Sequence, residues 1–186
     1  ALARKAGVAR VWMGTPSWPN HAQILGDLRV ELKAFNHATK AGVVDMEALR
    51  GAIAEAGAND AILLHGCCHN PTGIDYSNAD WDEIAGLIAA KGLLPILDLA
   101  YQGLGHGMEE DAYGTRQVLA AVPEALIAYS CDKNFGMYRD RVGAIYVMAE
   151  DGAVLGRVLS NGHALARAAW SMPPDHGGAA VRLILE

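Results

Sequence analysis

The chain alternates between short apolar segments and longer segments in which apolar residues recur every three or four positions. Segments of the first kind predict strands, and segments of the second kind predict helices. The predicted strands are residues 8–14, 30–36, 60–66, 93–101, 124–130 and 141–150. The predicted helices are residues 20–29, 44–57, 77–92, 115–123 and 151–170, with a further helix running to the end of the chain.

Local signals support this alternation. Asp45 is placed to cap the start of the second helix and Gly57 to end it, and Ser77 and Asp80 have the spacing of a capping box. The nearly all-apolar run "DAILLHG" is typical of a strand covered on both faces. The pattern therefore predicts one α/β domain, residues 1–186, built as a three-layer α/β/α sandwich around a mostly parallel sheet.

The composition of the chain excludes some classes of binding partner and favours one cellular compartment. The chain has 186 residues, a net charge of −6 and no basic run, so we expect neither nucleic acid nor a membrane as a partner. No apolar run is long enough to span a bilayer, and the start lacks the pattern of a secretory signal. Three cysteines, two of them adjacent, are not a disulfide framework and favour a reducing, cytoplasmic compartment.

Polar side chains gather where the predicted strands end. Because ligands bind beyond the carboxyl ends of the strands in such sheets, these side chains form the candidate site. They are Trp18 and His21 after the first strand, Asn70 after the third, Asp98 and Tyr101 at the end of the fourth, and Ser130 and Lys133 after the fifth.

The stretch "LLHGCCHNPTG", residues 63–73, contains two cysteines flanked by two histidines and so suggests a metal site as an alternative function. Cys67 and Cys68 are neighbours and should point apart in extended chain, whereas paired zinc cysteines are usually separated by two to four residues. No second cluster of cysteine and histidine exists in the sequence. We therefore expect no metal, and we expect the cysteines to pack as small apolar residues. The acidic residues 109–111 are expected to form a solvated loop.

A lysine and a carboxylate facing one pocket suit pyridoxal phosphate. Its aldehyde forms a Schiff base with lysine, and an aspartate keeps its ring nitrogen protonated. Asp98 is the strongest candidate from the residues alone, because a carboxylate inside an apolar strand is costly unless it is paired. Taken singly, the other candidates have ordinary structural explanations as turn residues, core aromatics or hydrogen-bonded core histidines.

Four motifs in order, "SWPNH", "HGCCHNPTG", "DLAYQG" and "SCDKNFGMYRDRVG", resemble those of the aspartate/aromatic amino-acid (tyrosine) aminotransferases, which are class I pyridoxal-phosphate enzymes. The resemblance runs over nearly the whole chain. It implies the large domain of a fold-type I transferase, and transamination between an aromatic or dicarboxylic L-amino acid and 2-oxoglutarate. It also implies a homodimer with shared active sites.

The resemblance gives the candidate residues their roles. Lys133 carries the Schiff base and then acts as general base, while Asp98 pairs with the ring nitrogen. It also implies that His21 and His65 orient Asp98, that Tyr101 and Asn70 bond the phenolic oxygen, and that Trp18 stacks on the ring. Ser130 and Arg141 would hold the phosphate, and Trp18 and Asn70 would also contact the substrate.

Arg167 and Ser171 would reach the partner subunit's site, where Arg167 would receive an acidic substrate side chain.

The chain departs from the family's pattern at two positions. Asp132 stands where a small hydroxyl residue is usual, and a negative charge there should weaken cofactor binding unless the side chain points away. Met172 stands where asparagine is common in aspartate-preferring members, which favours the aromatic-preferring subgroup. The glycine-rich phosphate loop and the C-terminal small domain of the family have no counterpart here, so we expect this chain to be an incomplete large domain.

Other functions remain open from the sequence. A β-lyase or decarboxylase of the same fold would keep the cofactor and change the reaction, although Arg167 and the motif spacing argue against it. A non-catalytic α/β binding module would need no Schiff base on Lys133. A cysteine/histidine metal module would need a second pair of ligands.

Overall fold

The computed structural model describes residues 1–186 and contains six strands and seven helices. The strands are β1 (Arg10–Thr15), β2 (Glu31–Asn36), β3 (Asp60–His65), β4 (Leu94–Leu99), β5 (Ala125–Ser130) and β6 (Gly143–Met148). The helices are α1 (Leu2–Lys5), α2 (Pro19–Asp27), α3 (Met46–Glu55), α4 (Asn78–Lys91), α5 (Tyr113–Ala121), α6 (Gly152–Trp170) and α7 (His176–Leu185).

The six strands form one sheet in the order β2-β1-β3-β4-β5-β6. β1 to β5 are parallel, and β6 runs antiparallel to β5. The chain leaves β1 towards β2 on one side and then builds β3, β4 and β5 on the other. The direction of winding therefore reverses between β1 and β3, which is the place where sheets of this kind open a crevice for a ligand.

Helices cover both faces of the sheet, so the predicted α/β sandwich is confirmed. On one face α3, α4 and α5 pack on alternate strand residues such as Trp12, Ile62 and Leu97. On the other face Val11 and Met13 of β1 and Ala61 and Leu63 of β3 form a smaller core, against which Leu25 of α2 and Ile96 of β4 pack. All six residues of β3 are buried, as expected for a strand covered on both sides.

Both predicted helix starts are present. The Asp45 side chain accepts a hydrogen bond from the Ala48 amide at 2.9 Å, and Ser77 and Asp80 exchange both bonds of a capping box. The predicted stop at Gly57 is slightly wrong, because α3 ends at Glu55 and the chain is already extended at Ala56. The short helix α1 was not predicted at all.

The last two helices are much less enclosed than the others. α6 has no buried residue, and α7 buries only Gly177. Trp170 at the end of α6 is 61% exposed, and β6 is also mostly exposed. No helix combines the length and the apolar character that crossing a membrane requires.

Candidate active site

Most of the predicted site residues surround one cavity of about 240 Å³ at the carboxyl edge of the sheet. Its lining comprises Trp18, His65, Asn70, Asp98, Ala100, Tyr101, Ser130, Asp132, Lys133, Tyr138 and Arg141. A second cavity of about 210 Å³ lies at the opposite edge, where Val8, Asn59 and Leu93 precede β1, β3 and β4. The titratable candidates lie around the first cavity, so we describe that one as the site.

Asp98 is held by a chain of two hydrogen bonds. It sits near the end of β4, and its Oδ2 lies 2.7 Å from Nε2 of His21 in the first turn of α2. Nδ1 of the same histidine lies 3.1 Å from the hydroxyl oxygen of Ser17. With the Ser17 hydroxyl donating to Nδ1, the Nε2–H donates to the carboxylate. This chain fixes the orientation of Asp98 and gives it a donor.

His65 lies beside Asp98 without bonding to it. The two residues are register partners in β3 and β4. The His65 ring is 5.1 Å from that of His21 and 4.4 Å from that of His69, yet its buried Nε2 has no hydrogen-bond partner. Burial lowers the pKa of His65 to about 4, so the ring is neutral near pH 7. The sequence analysis expected His65 to be a partner of Asp98. The structure places the two side chains close together but without a hydrogen bond between them.

Tyr101, Asn70 and Lys133 meet across the cavity. The Asn70 amide donates to the Tyr101 hydroxyl at 3.4 Å, and Nζ of Lys133 lies 5.1 Å from the centre of the Tyr101 ring. Asn134 holds the segment that carries the lysine, because its amide donates to the hydroxyl of Tyr129 and to a backbone carbonyl after β4. An amine, a phenol and an amide therefore face the same space.

Arg141 and Ser130 form the far end of the cavity together with Asp132. Arg141 donates to Oδ2 of Asp132 and, at 3.2 Å, to the carbonyl of Tyr138. The Asp132 amide donates to the Ser130 hydroxyl at 3.2 Å. The arginine side chain is 73% exposed, whereas that of Asp132 is only 4% exposed. Asp132 therefore does not point away from this end of the cavity, and its carboxylate is the partner of the arginine.

Trp18 and Arg167 lie at different distances from this centre. Trp18 directly precedes α2, is 37% exposed, and meets the His21 ring edge-on at 5.2 Å. Arg167 is an exposed residue of α6 that donates to the Ser171 hydroxyl at 2.7 Å and does not line the cavity. Within one chain, Arg167 is therefore not brought together with the other candidates.

Two carboxylates that the sequence did not assign to the site shape its loops. The Asp75 oxygens accept bonds from the Cys68 and His69 amides, both at 2.7 Å, and so fix the turn that carries Asn70. An aspartate shortly after a Pro-Thr-Gly turn is the signal that could have indicated this role, since such side chains bond nearby backbone amides.

Asp111 contradicts the expectation of a solvated loop. It is buried, and it accepts bonds from the amides of Gly103, Gly105 and His106. Burial alone would raise the pKa of Asp111, but the backbone hydrogen bonds outweigh it and hold the pKa below the usual range. The expectation fails for this residue because a carboxylate can collect several loop amides. It holds for Glu109 and Glu110, which are exposed.

The expectation that Cys67 and Cys68 point apart was also wrong. Cys68 has a positive φ of 49°, so the chain is not extended there. The two sulfur atoms and an oxygen of Asp111 lie within 4.8 Å of one another. Burial raises the pKa of both thiols, which keeps them in the neutral form. The ring nitrogens of His21 and His65 and a carboxylate oxygen of Asp98 are equally close. That the chain binds no metal at either place stays a prediction.

The sequence as a whole, residues 1–186, matches the family model described as "Aminotransferase class I and II". The chain belongs to this family. It is 47% identical over its full length to a tyrosine aminotransferase of Rhizobium meliloti (strain 1021), of which it covers 48%. It is 43% identical, over 99% of its length, to an aspartate aminotransferase of Escherichia coli (strain K12), of which it covers 47%.

A solved aminotransferase shows the same fold. The chain superposes with a TM-score of 0.94 and 34% identity on an aromatic-amino-acid aminotransferase of Burkholderia pseudomallei that is covalently bound to pyridoxal phosphate. The match covers 99% of this chain and 46% of that one. This chain thus spans about half the length of the curated relatives it matches.

Proposed function

We propose that the full-length protein carrying this chain catalyses pyridoxal-phosphate-dependent transamination between an aromatic or dicarboxylic L-amino acid and 2-oxoglutarate. The observation that carries the proposal is the placement of Asp98, held by His21, in the same cavity as Lys133. Family membership and the covalently bound cofactor of the Burkholderia pseudomallei relative support it.

The donor set of the cavity fits pyridoxal phosphate. Asp98 suits a protonated ring nitrogen, and the Tyr101 hydroxyl with the Asn70 amide suits a phenolic oxygen. Trp18 at the rim offers a ring face, and Ser130 with Arg141 suits a phosphate. When bound, the cofactor supplies an aldehyde that a lysine amine can condense with and a ring that withdraws electrons from the substrate's Cα.

Each residue then has a separate task. Lys133 would hold the cofactor through its amine and would be placed to take the proton from the substrate's Cα. Asp98 would keep a proton on the cofactor's ring nitrogen, because an anionic carboxylate favours a positive partner. His21 orients Asp98 by donating to it from Nε2. Tyr101 lies beside the lysine and shields the amine on one side.

We further propose that residues 1–186 form the pyridoxal-phosphate-binding large domain in incomplete form. In the full-length protein this domain would assemble as a homodimer in the cytoplasm. Arg167, exposed on α6 and away from its own cavity, would serve the partner subunit's site and receive an acidic substrate side chain. Its partners would be amino acids and 2-oxo acids, with neither nucleic acid nor membrane involved.

Borohydride reduction tests the proposal. The full-length protein is incubated with pyridoxal phosphate and reduced, and its peptides are mapped by mass spectrometry. The pyridoxyl group should be on Lys133, and a Lys133→Ala variant should lose it. Lys91→Ala is the matched control, because Lys91 bonds the Ala54 carbonyl at the surface and should leave labelling unchanged. Labelling at Lys91, or at no lysine, would contradict the proposed function.

A further inference from the structure

We infer that Asp132 makes the phosphate end of the cavity selective for the singly charged form of a phosphate monoester, so that cofactor affinity falls as pH rises. The inference rests on the proposed function and adds a specificity-determining residue to its site. Its basis is the ion pair between Asp132 and Arg141, which lies where a phosphate would bind.

The charge balance at this end of the cavity is close to zero. Arg141 supplies one positive charge and Asp132 one negative charge, while Ser130 supplies a neutral hydroxyl. A phosphate monoester, whose second pKa is about 6, carries two negative charges above that pH and one below it. Bringing two negative charges against a neutralised arginine is unfavourable, and bringing one is less so.

The hydrogen-bonding state of Asp132 points the same way. Oδ2 accepts from Arg141, whereas Oδ1 is buried and has no partner. An ionised carboxylate can only accept, so a group that binds against it must donate. A singly charged phosphate monoester still has one O–H group, but the doubly charged form has none. The protonated form can therefore donate to the Asp132 carboxylate while its other oxygens face Arg141 and Ser130.

The other charged and titratable groups around the cavity do not cancel this effect. Lys133 is cationic and lies on the same segment as Asp132, but Asp98 supplies an opposing negative charge. His65 adds no charge in the relevant range, because burial lowers its pKa to about 4. Tyr101 and Tyr138 complete the lining and contribute phenol groups.

Binding of pyridoxine 5′-phosphate and of pyridoxine to the full-length protein tests the inference by calorimetry at pH 5.5 and pH 8.0. Neither probe has an aldehyde, so Lys133 forms no bond with them. The ratio of their dissociation constants isolates the contribution of the phosphate, because ring titration affects both probes. From pH 5.5 to pH 8.0 this contribution should fall by about tenfold or more.

Removing the charge should reverse the pattern. Asp132→Asn should bind pyridoxine 5′-phosphate at pH 8.0 about tenfold more tightly than the unaltered protein, since an amide can donate to the doubly charged phosphate. If the asparagine variant folds poorly, Asp132→Ser can be measured in its place, and it should also bind pyridoxine 5′-phosphate more tightly at pH 8.0. Asp140→Asn is the matched control, because Asp140 lies next to Arg141 but bonds His176 and does not line the cavity.

The outcomes separate the two proposals. An unchanged ratio between the two pH values, or a variant at position 132 that binds no more tightly, would overturn the inference even when Lys133 is labelled by borohydride. Failure of every form of the protein to bind pyridoxine 5′-phosphate, together with failure of Lys133 labelling, would overturn the proposed function as well.

Discussion

Two carboxylates of the same cavity have opposite environments. Asp98 accepts from a histidine whose other nitrogen is bonded to Ser17, so it keeps its charge available to a ligand. Asp132 is paired with Arg141, so its carboxylate interacts with a cation of the chain itself. The partner of each carboxylate therefore decides its role: one can stabilise a cation in the cavity, and the other competes with an anion.

Replacing Asp98 tests the first of these roles. In the full-length protein Asp98→Ala should lower kcat for transamination at least about 100-fold, because an unprotonated pyridine ring cannot stabilise the negative charge that develops on the substrate. Steady-state kinetics at saturating substrate would measure the loss. Cofactor content, read from absorbance, would show whether binding survives. Near-normal kcat in a variant that retains its cofactor would refute the role of Asp98.

Single residues were predictable where they carry an unusual property and not where they depend on a loop. Asp98 stands out as a carboxylate in an apolar strand, and the structure places it in the cavity. Asp111 was expected in a solvated loop and Asp75 was not assigned to the site, because nothing in the local sequence reveals which backbone amides a loop will turn towards them. The pairing of Asp132 with Arg141, nine residues away, likewise depends on how the intervening turn folds.

At the scale of elements, the ends of β2 and β3 are joined by a column of histidines. His37, just after β2, stacks on His69 at 3.5 Å between ring centres and 4° between planes, and His69 in turn meets His65 at the end of β3. His37 is 2.7 Å from the Ile74 carbonyl through Nε2, and Nδ1 of His69 is 2.8 Å from the Thr72 hydroxyl. The column therefore packs the turn that carries Asn70 against the sheet.

Burial of these rings should make the fold sensitive to acid. Burial, and then the neighbouring histidines, lower the pKa of His69 to about 3, while the pKa of a histidine in the unfolded chain is about 6.5. Protons then bind the unfolded chain more readily, so stability is complete above the unfolded value and declines as pH falls towards the folded value. At pH 5, His69 alone should cost about 2 kcal/mol relative to pH 7.

Urea unfolding of the unaltered chain and of His69→Gln at pH 7 and pH 5 would measure this effect. The difference in unfolding free energy between the two pH values should be smaller in the variant, whatever the variant's absolute stability. His163→Gln is the control, because His163 is exposed on α6 and should leave the difference unchanged. An equal pH dependence in His69→Gln and the unaltered chain would show that His69 does not resist protonation.

The elements themselves followed from the hydrophobic pattern, since every predicted strand is present. Their ends were harder to place, because tertiary contacts decide them. Gly57 was expected to stop α3, but its amide donates to the Asp60 side chain at 2.8 Å, so it already belongs to the turn before β3. The same buried aspartate also accepts from Arg10 and Trp12 of β1, a pairing that no local pattern signals.

At the scale of the whole molecule, the middle of the sheet is covered by helices, whereas its end at β6 is exposed. β3 and β4 lie deep between helices, whereas β6 and the whole of α6 remain accessible. Exposed apolar side chains gather there, including Tyr146, Leu159 and Trp170. A surface of this kind is typical of an interface. It agrees with the proposal that α6 lies against a second subunit, and the placement of Arg167 on that helix then has a functional meaning.

The substrate proposal can be tested through Arg167. A guanidinium pairs bidentately with a carboxylate, so Arg167 in the partner subunit's site would bind the side chain of a dicarboxylic substrate. An aromatic substrate offers no such partner, and a desolvated, unpaired guanidinium is costly, so the arginine must be free to stay in solvent. Its exposure on α6, with a bond only to the nearby Ser171 hydroxyl, allows this.

Replacing Arg167 with leucine in the full-length protein should therefore separate the two substrate classes. The loss in kcat/KM for aspartate should be about 3 kcal/mol or more, on the scale of a lost buried charge pair. The half-reaction with phenylalanine should be much less affected, because 2-oxoglutarate and its carboxylate do not enter it. Ser171→Ala is the control for the bond that Arg167 makes in this structure, and it should not reproduce the selective loss. Equal losses for aspartate and phenylalanine would show that Arg167 supports the fold or the subunit contact rather than the substrate, and the dicarboxylic half of the proposal would be withdrawn.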